Sequence, residues 1–138
     1  MPPILRIAAA LTALGTAVTG SAPAHAESAL HHVRYTVFAD GPIWAEIYYR
    51  DIEPGVFSDY SHNPYIFSPN VEADIGPDKP WVFDATMANP DLWAMVVVQS
   101  GESPQFPTPA FHCELAVDGV AVKKDSGPRG ALCSIRNW

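Results

Sequence analysis

From Val33 onward the chain repeats an apolar–polar alternation with a period of two. Val33 to Phe38 sets Val33, Tyr35 and Val37 against Arg34 and Thr36. Ile43 to Arg50 sets Ile43, Ala45, Ile47 and Tyr49 against Trp44, Glu46, Tyr48 and Arg50. Successive side chains of an extended chain point to opposite faces, so this spacing predicts two half-buried strands with their odd-numbered residues inward. Asp40-Gly41 between them predicts a hairpin, lengthened by Pro42. Trp81 to Ala88 again places Trp81, Phe83, Ala85 and Met87 together, and Asn89-Pro90-Asp91 reads as a turn. Leu92 to Gln99 is apolar on both faces, the pattern of a central strand.

Further on, Phe111 to Val117 carries Cys113, Leu115 and Val117 on one face with His112 and Glu114 on the other. Asp118-Gly119 then predicts a two-residue turn into Val120, Ala121 and Val122, the strongest local hairpin signal in the chain. Asp125 to Gly130 reads as a loop, and Ala131 to Arg136 as a last strand with Cys133 and Ile135 facing together. Outside the first 26 residues no segment longer than about six residues has helical periodicity.

Those first 26 residues follow a different pattern. One cation, Arg6, precedes the apolar stretch Ile7 to Gly20, and Ser21 to Ala26 ends in Ala24-His25-Ala26. The order matches a secretory signal, with cleavage expected after Ala26. A spanning helix needs about 20 apolar residues, whereas this run is shorter and interrupted by Thr12, Gly15, Thr16 and Thr19. The expectation is a secreted or envelope protein with a flexible stretch at 27–32 and one domain at 33–138.

Removing the signal leaves 112 residues with 7 basic against 15 acidic side chains, net −8. That balance argues against a nucleic-acid partner and suits a cationic partner or simple solubility. In an oxidising compartment Cys113 and Cys133 are expected to form a disulfide. In a flat three-strand meander the outer strands lie about 9–10 Å apart, too far for a disulfide, which needs Cα atoms within about 7 Å. The last strand must therefore pair on the other side of the Cys113 strand or cross to a facing sheet. Either arrangement predicts an all-β, immunoglobulin-like two-layer sandwich of six or seven strands.

The run from Cys113 to Ser134, with its Val117-Asp118-Gly119 turn, Lys123-Lys124-Asp125 return strand and second cysteine, resembles the end of the soluble domain of the MmpS family of small mycobacterial membrane proteins. Val33 to Val37, Ala45 to Asp51 and Pro80-Trp81 fall where that family has similar features. The resemblance implies a β-sandwich accessory domain working outside the cytoplasmic membrane beside exporters of lipids or siderophores. Two departures stand out. That family retains its N-terminal helix as an anchor, and the span from Asp51 to Pro80 is longer here.

That span holds Pro54 to Asn70, with Phe57, Tyr60, Tyr65 and Phe67 among three prolines. A long loop rich in aromatics suits a binding surface, or folds back as a lid on the core. Trp44 and Tyr48, on the solvent face of their strand with Glu46 and Arg50, form a second candidate contact patch, unless another layer covers them. His31-His32, His62 and His112 are too scattered for a metal or haem ligand set. Asp84, Glu114 and His112 could contribute to hydrolysis, but no nucleophile, metal or phosphate motif accompanies them. The chain is therefore expected to be a non-enzymatic, exported binding or accessory protein without a cofactor. The alternative is a carrier holding a lipid or haem between its sheets.

Overall fold

The computed structural model describes residues 29–137. The segment expected to direct export, the cleavage expected after Ala26 and the first residues beyond it lie outside the described residues. Ten elements follow in order: β1 (His31–Ala39), β2 (Ile43–Tyr49), α1 (Phe57–His62), β3 (Asn70–Ile75), β4 (Trp81–Met87), α2 (Pro90–Trp93), β5 (Met95–Ser100), β6 (Phe111–Val117), β7 (Val120–Gly127) and β8 (Gly130–Ser134). The strands form two four-stranded antiparallel sheets, ordered β4-β1-β6-β7 and β3-β2-β5-β8. The all-β two-layer sandwich is thus observed, with eight strands rather than six or seven.

Alternation sets the core. Val33, Tyr35 and Val37 of β1, Ala45 and Ile47 of β2, and Phe111, Cys113 and Leu115 of β6 are buried as their spacing requires. Val96 and Val98 of β5 join them from the facing sheet, where β5 lies between β2 and β8 as a central strand. Cys113 and Cys133 are joined across the two sheets with Cα atoms 6.1 Å apart. Of the two arrangements left open by the spacing, the crossing to a facing sheet is the one adopted. Asp118 and Gly119 both take positive φ, 50° and 82°, giving β6 and β7 the tight turn that matches strand twist.

Five expectations are corrected. First, β1 and β2 do not form a hairpin, because Asp40-Gly41-Pro42 carries the chain from one sheet to the other, and the Asp40 N–H bonds to the Ala110 carbonyl instead. Second, Leu92 and Trp93 belong to α2, started by Pro90 at its first turn, where a missing N–H costs nothing. Third, β3 was concealed in sequence because Asn70, Glu72 and Asp74 alternate with residues as small as Val71 and Ala73. Fourth, His31 and His32 are already paired in β1 with Met87 and Thr86, so the stretch before Val33 is not wholly free. Fifth, β7 runs on to Gly127, leaving Pro128 and Arg129 as the turn into β8.

Candidate functional site

β2 ends at Tyr49, and the next residue breaks the alternation. Arg50 is fully buried, although the pattern placed it beside Trp44 and Tyr48 on the solvent face. The correction has a physical cause. Past the last ladder pair the chain is free to turn its side chain inward, beneath the segment 54–70, where backbone carbonyls await donors. Arg50 Nε donates to the Trp93 carbonyl at 3.0 Å, while Nη1 donates to the Phe67 carbonyl and Ser68 Oγ, both at 2.8 Å. The guanidinium also lies 4.6 Å from the Tyr60 ring centre and 5.8 Å from that of Trp93, within range of cation–π attraction.

The backbone of Arg50 is held equally firmly. Its N–H donates to the Met95 carbonyl, and its carbonyl accepts from the Tyr35 hydroxyl at 2.7 Å. That hydroxyl in turn accepts from the Met95 N–H at 3.3 Å, so one buried phenol ties the two sheets together. Burial pushes the Tyr35 phenol well above its ordinary pKa, and the Asp51 carboxylate adds to the rise. Burial likewise raises that of Tyr49, again with a contribution from Asp51.

This base carries a cap. The helix α1 has no side-chain N-cap and no buried residue, so tertiary contacts rather than propensity hold it. Tyr60 packs against the core, with its ring 5.8 Å from Trp93. Phe57 stacks near Trp93 and Tyr60, and the Arg136 guanidinium sits 5.5 Å above it. Glu53 secures the near side, accepting from the Ala88 N–H at 2.7 Å and from the N–H and side-chain amide of Asn89, both at 3.0 Å.

The four loop aromatics therefore divide. Tyr60 packs against the core as a lid and Phe67 is half-buried, whereas Phe57 is 54% and Tyr65 86% exposed. Ile52, Val56, Ile66 and Leu92 are exposed in the same segments. Arg50, Trp93, Ile66 and Arg136 were not legible as parts of this surface. The nearest signal was a cluster of apolar and proline residues following an arginine at a strand end.

Trp44 and Tyr48 stand elsewhere, on the outer face of β2. Trp44 is 37% exposed and Tyr48 is half-buried, with Glu46 between them bonded to Gln99 at 2.9 Å. Six residues of strand separate Trp44 from Arg50, about 20 Å at the usual rise. Trp44 thus stands apart from the cap, whereas Tyr48 is close in the chain to Arg50 at its base.

The groups that could have served hydrolysis are also dispersed. Asp84 pairs with Arg34 at 2.8 Å and His32 at 2.7 Å, and Glu114 lies 3.6 Å from Lys124. The hydrogen bond from Arg34 holds Asp84 below the usual carboxylate range, helped by His32, and that from His31 does the same for Asp118. His112 stacks on Phe38 and lies between Ser126 Oγ at 2.6 Å and Asp40 Oδ1 at 2.8 Å. Asp84 on β4 and the pair His112 and Glu114 on β6 are separated by β1, all on the outer face of their sheet.

The sandwich from Tyr35 to Cys133 coincides with the match to a known family, the Rv2576c beta-sandwich domain, whose model covers residues 35–133. The chain belongs to this family. Two relatives, the uncharacterized protein Rv2576c of Mycobacterium tuberculosis and the uncharacterized protein Mb2606c of Mycobacterium bovis, are each 33% identical over 132 residues. The similarity spans 94% of this chain and 84% of each relative. As an Rv2576c-type domain, the chain owes its sheet-bridging disulfide and the strands around it to the matched region, and the cap lies within that region too.

Proposed function

We propose that the mature chain is a non-enzymatic, exported binding module of the cell envelope that docks a protein partner through its aromatic cap. One observation carries this reading. Phe57, Tyr65 and Ile66 project from a segment whose base is fixed by the buried Arg50 and its bonds to Phe67, Ser68 and Trp93. Exposed apolar side chains on a rigid support lose little entropy on association, which is the arrangement expected of an interface anchor. The MmpS resemblance extends the proposal to a partner class: a component of an envelope exporter whose own cargo is a lipid or siderophore.

The carrier reading receives less support from the interior. Tyr35, Ile47, Met87, Phe111 and Leu115 are fully buried between the sheets, beside the disulfide. Side chains thus occupy the space a lipid or haem would need.

The test is crosslinking in the producing organism with a photoreactive residue at position 63, exposed in the same segment and outside the three substituted positions. Deleting the whole segment would remove the acceptors of Arg50, so the informative variant is Tyr65→Ser with Ile66→Ser and Phe57→Ser. A crosslinked envelope protein that disappears with these three changes supports the reading. An unchanged set of adducts refutes it.

A further inference from the structure

The far end of the second sheet carries a cleft that the cap does not use. Pro42, Ile43 and Trp44 form one side, and Asp74 to Lys79, the end of β3 and the turn beyond it, form the other. The cleft measures about 530 Å³, within the range of small-ligand sites, roughly 300–1,000 Å³. Its turn is closed by paired backbone bonds between Gly76 and Lys79 at 3.2 and 3.3 Å. Pro42, Ile43, Ile75 and Pro77 make the lining predominantly apolar.

Trp44 is positioned in advance of any ligand. Its ring lies directly against Gly101, where even a methyl group would fall 1.8 Å from Cζ3 and 2.5 Å from Cε3. The backbone supports the indole from that direction, yet the residue remains 37% exposed and lines the cleft. Asp74 is its direct partner across β2 and β3, which places a carboxylate within cross-strand reach of the ring. Asp78 supplies a second carboxylate from the turn.

We propose that this cleft binds an organic cation, an apolar body bearing one ammonium or guanidinium group. The apolar lining accommodates the body, the indole face attracts the charge, and Asp74 and Asp78 neutralise it. An anion would meet two carboxylates, and a neutral apolar ligand would gain nothing from either. The formal charge of the whole chain, −7 at neutral pH, draws cations toward the surface as well. Lys79 is the one cation of the lining and opposes the ligand, which provides an internal control.

The experiment follows the indole N–H resonance of Trp44 by NMR in the oxidised protein, assigned through Trp44→Phe. The probes are butylguanidinium, its neutral counterpart butylurea, and a blocked Gly-Arg-Gly tripeptide. Saturable shifts with butylguanidinium and none with butylurea are expected. Asp74→Asn with Asp78→Asn should weaken binding about fivefold or more, and Lys79→Gln should strengthen it about two- to threefold. Tripeptide binding tighter than butylguanidinium identifies an arginine on a protein as the source, whereas comparable or weaker binding identifies a free cation, and both support the site. Equal shifts with butylurea, no saturable shift at Trp44, or weakening by Lys79→Gln would overturn it. The three cap substitutions should leave this titration unchanged.

Discussion

The guanidinium of Arg50 lies 4.6 Å from the ring centre of Tyr60, closing the cap segment over the end of the sandwich. One side chain thus connects the end of β2, the carbonyls of Phe67 and Trp93, and the ring that covers it. Replacing Arg50 by Ala should leave the buried Trp93 carbonyl and the partly buried Phe67 carbonyl without these donors and destabilise the fold by about 2–5 kcal/mol. Arg50→Lys should recover only part of the loss, because an ammonium cannot reproduce the planar, multi-donor geometry. Urea unfolding of the two variants beside the parent checks both statements.

Tyr35→Phe removes the hydroxyl shared by Arg50 and Met95 and should cost about 1–2 kcal/mol. Its pH dependence is equally specific. The folded-state pKa of Tyr35 is raised, so the unfolded chain loses this proton first, near pH 10. Stability is therefore fully present below pH 10 and declines as pH rises above it. Denaturation midpoints between pH 8 and 11, ranges on the order of those set by phenol titration, should flatten in Tyr35→Phe.

Acid acts through the outer face of the first sheet. Asp84 and Asp118 have lowered pKa values from their hydrogen bonds to Arg34 and His31 respectively. A depressed folded value means that the contribution is present above the ordinary carboxylate pKa of 3.8 and is lost as pH falls through the lower, folded one. Asp84→Asn with Asp118→Asn should therefore be less sensitive to acid below about pH 4 than the parent. Thermal midpoints measured from pH 2 to 6, a window of roughly two units either side of that value, decide it.

The sequence made the sandwich legible wherever inward positions were large and outward ones polar, as in β1 and β6. It concealed β3, whose inward residues Val71 and Ala73 are small, and it misplaced Arg50, because alternation holds only while the ladder continues. Hairpin chemistry at Asp118-Gly119 gave the right pairing, yet similar residues at Asp40-Gly41 turned the chain between layers. Local turn propensity specifies a reversal but not which sheet receives the next strand. The same limitation hid the cation cleft. Asp74 and Asp78 approach Trp44 only through the β2–β3 pairing, a contact between residues some thirty positions apart.

Two glycines should respond differently to Ala. At Gly130 the new methyl would meet the Val98 carbonyl oxygen at 2.4 Å, a backbone atom in the β5–β8 ladder, and the sheet must open locally. At Gly101 it would meet only the far edge of the Trp44 ring, which can swing outward. Gly130→Ala should cost more than about 2 kcal/mol. Gly101→Ala should cost less and shift the Trp44 emission toward that of a solvated indole, so fluorescence and unfolding together separate the two.

Removing the disulfide through Cys113→Ala with Cys133→Ala opens a loop defined by a sequence separation of 20. The expected loss is about 3 kcal/mol, which for a domain of this size lowers the melting temperature by about 15 °C. Scanning calorimetry with and without reductant should give matching decreases for the parent and no reductant effect in the double variant.

Five of the seven links between successive strands pass from one layer to the other; only β2–β3 and β6–β7 stay within a sheet. Neither layer can be completed before most of the chain is available, and the β6–β7 hairpin is the single pairing that a tight turn can close early. Topologies of this kind acquire their stabilising contacts late and fold slowly. Such a chain should stay extended for a time after synthesis, with its two cysteines apart until the layers meet.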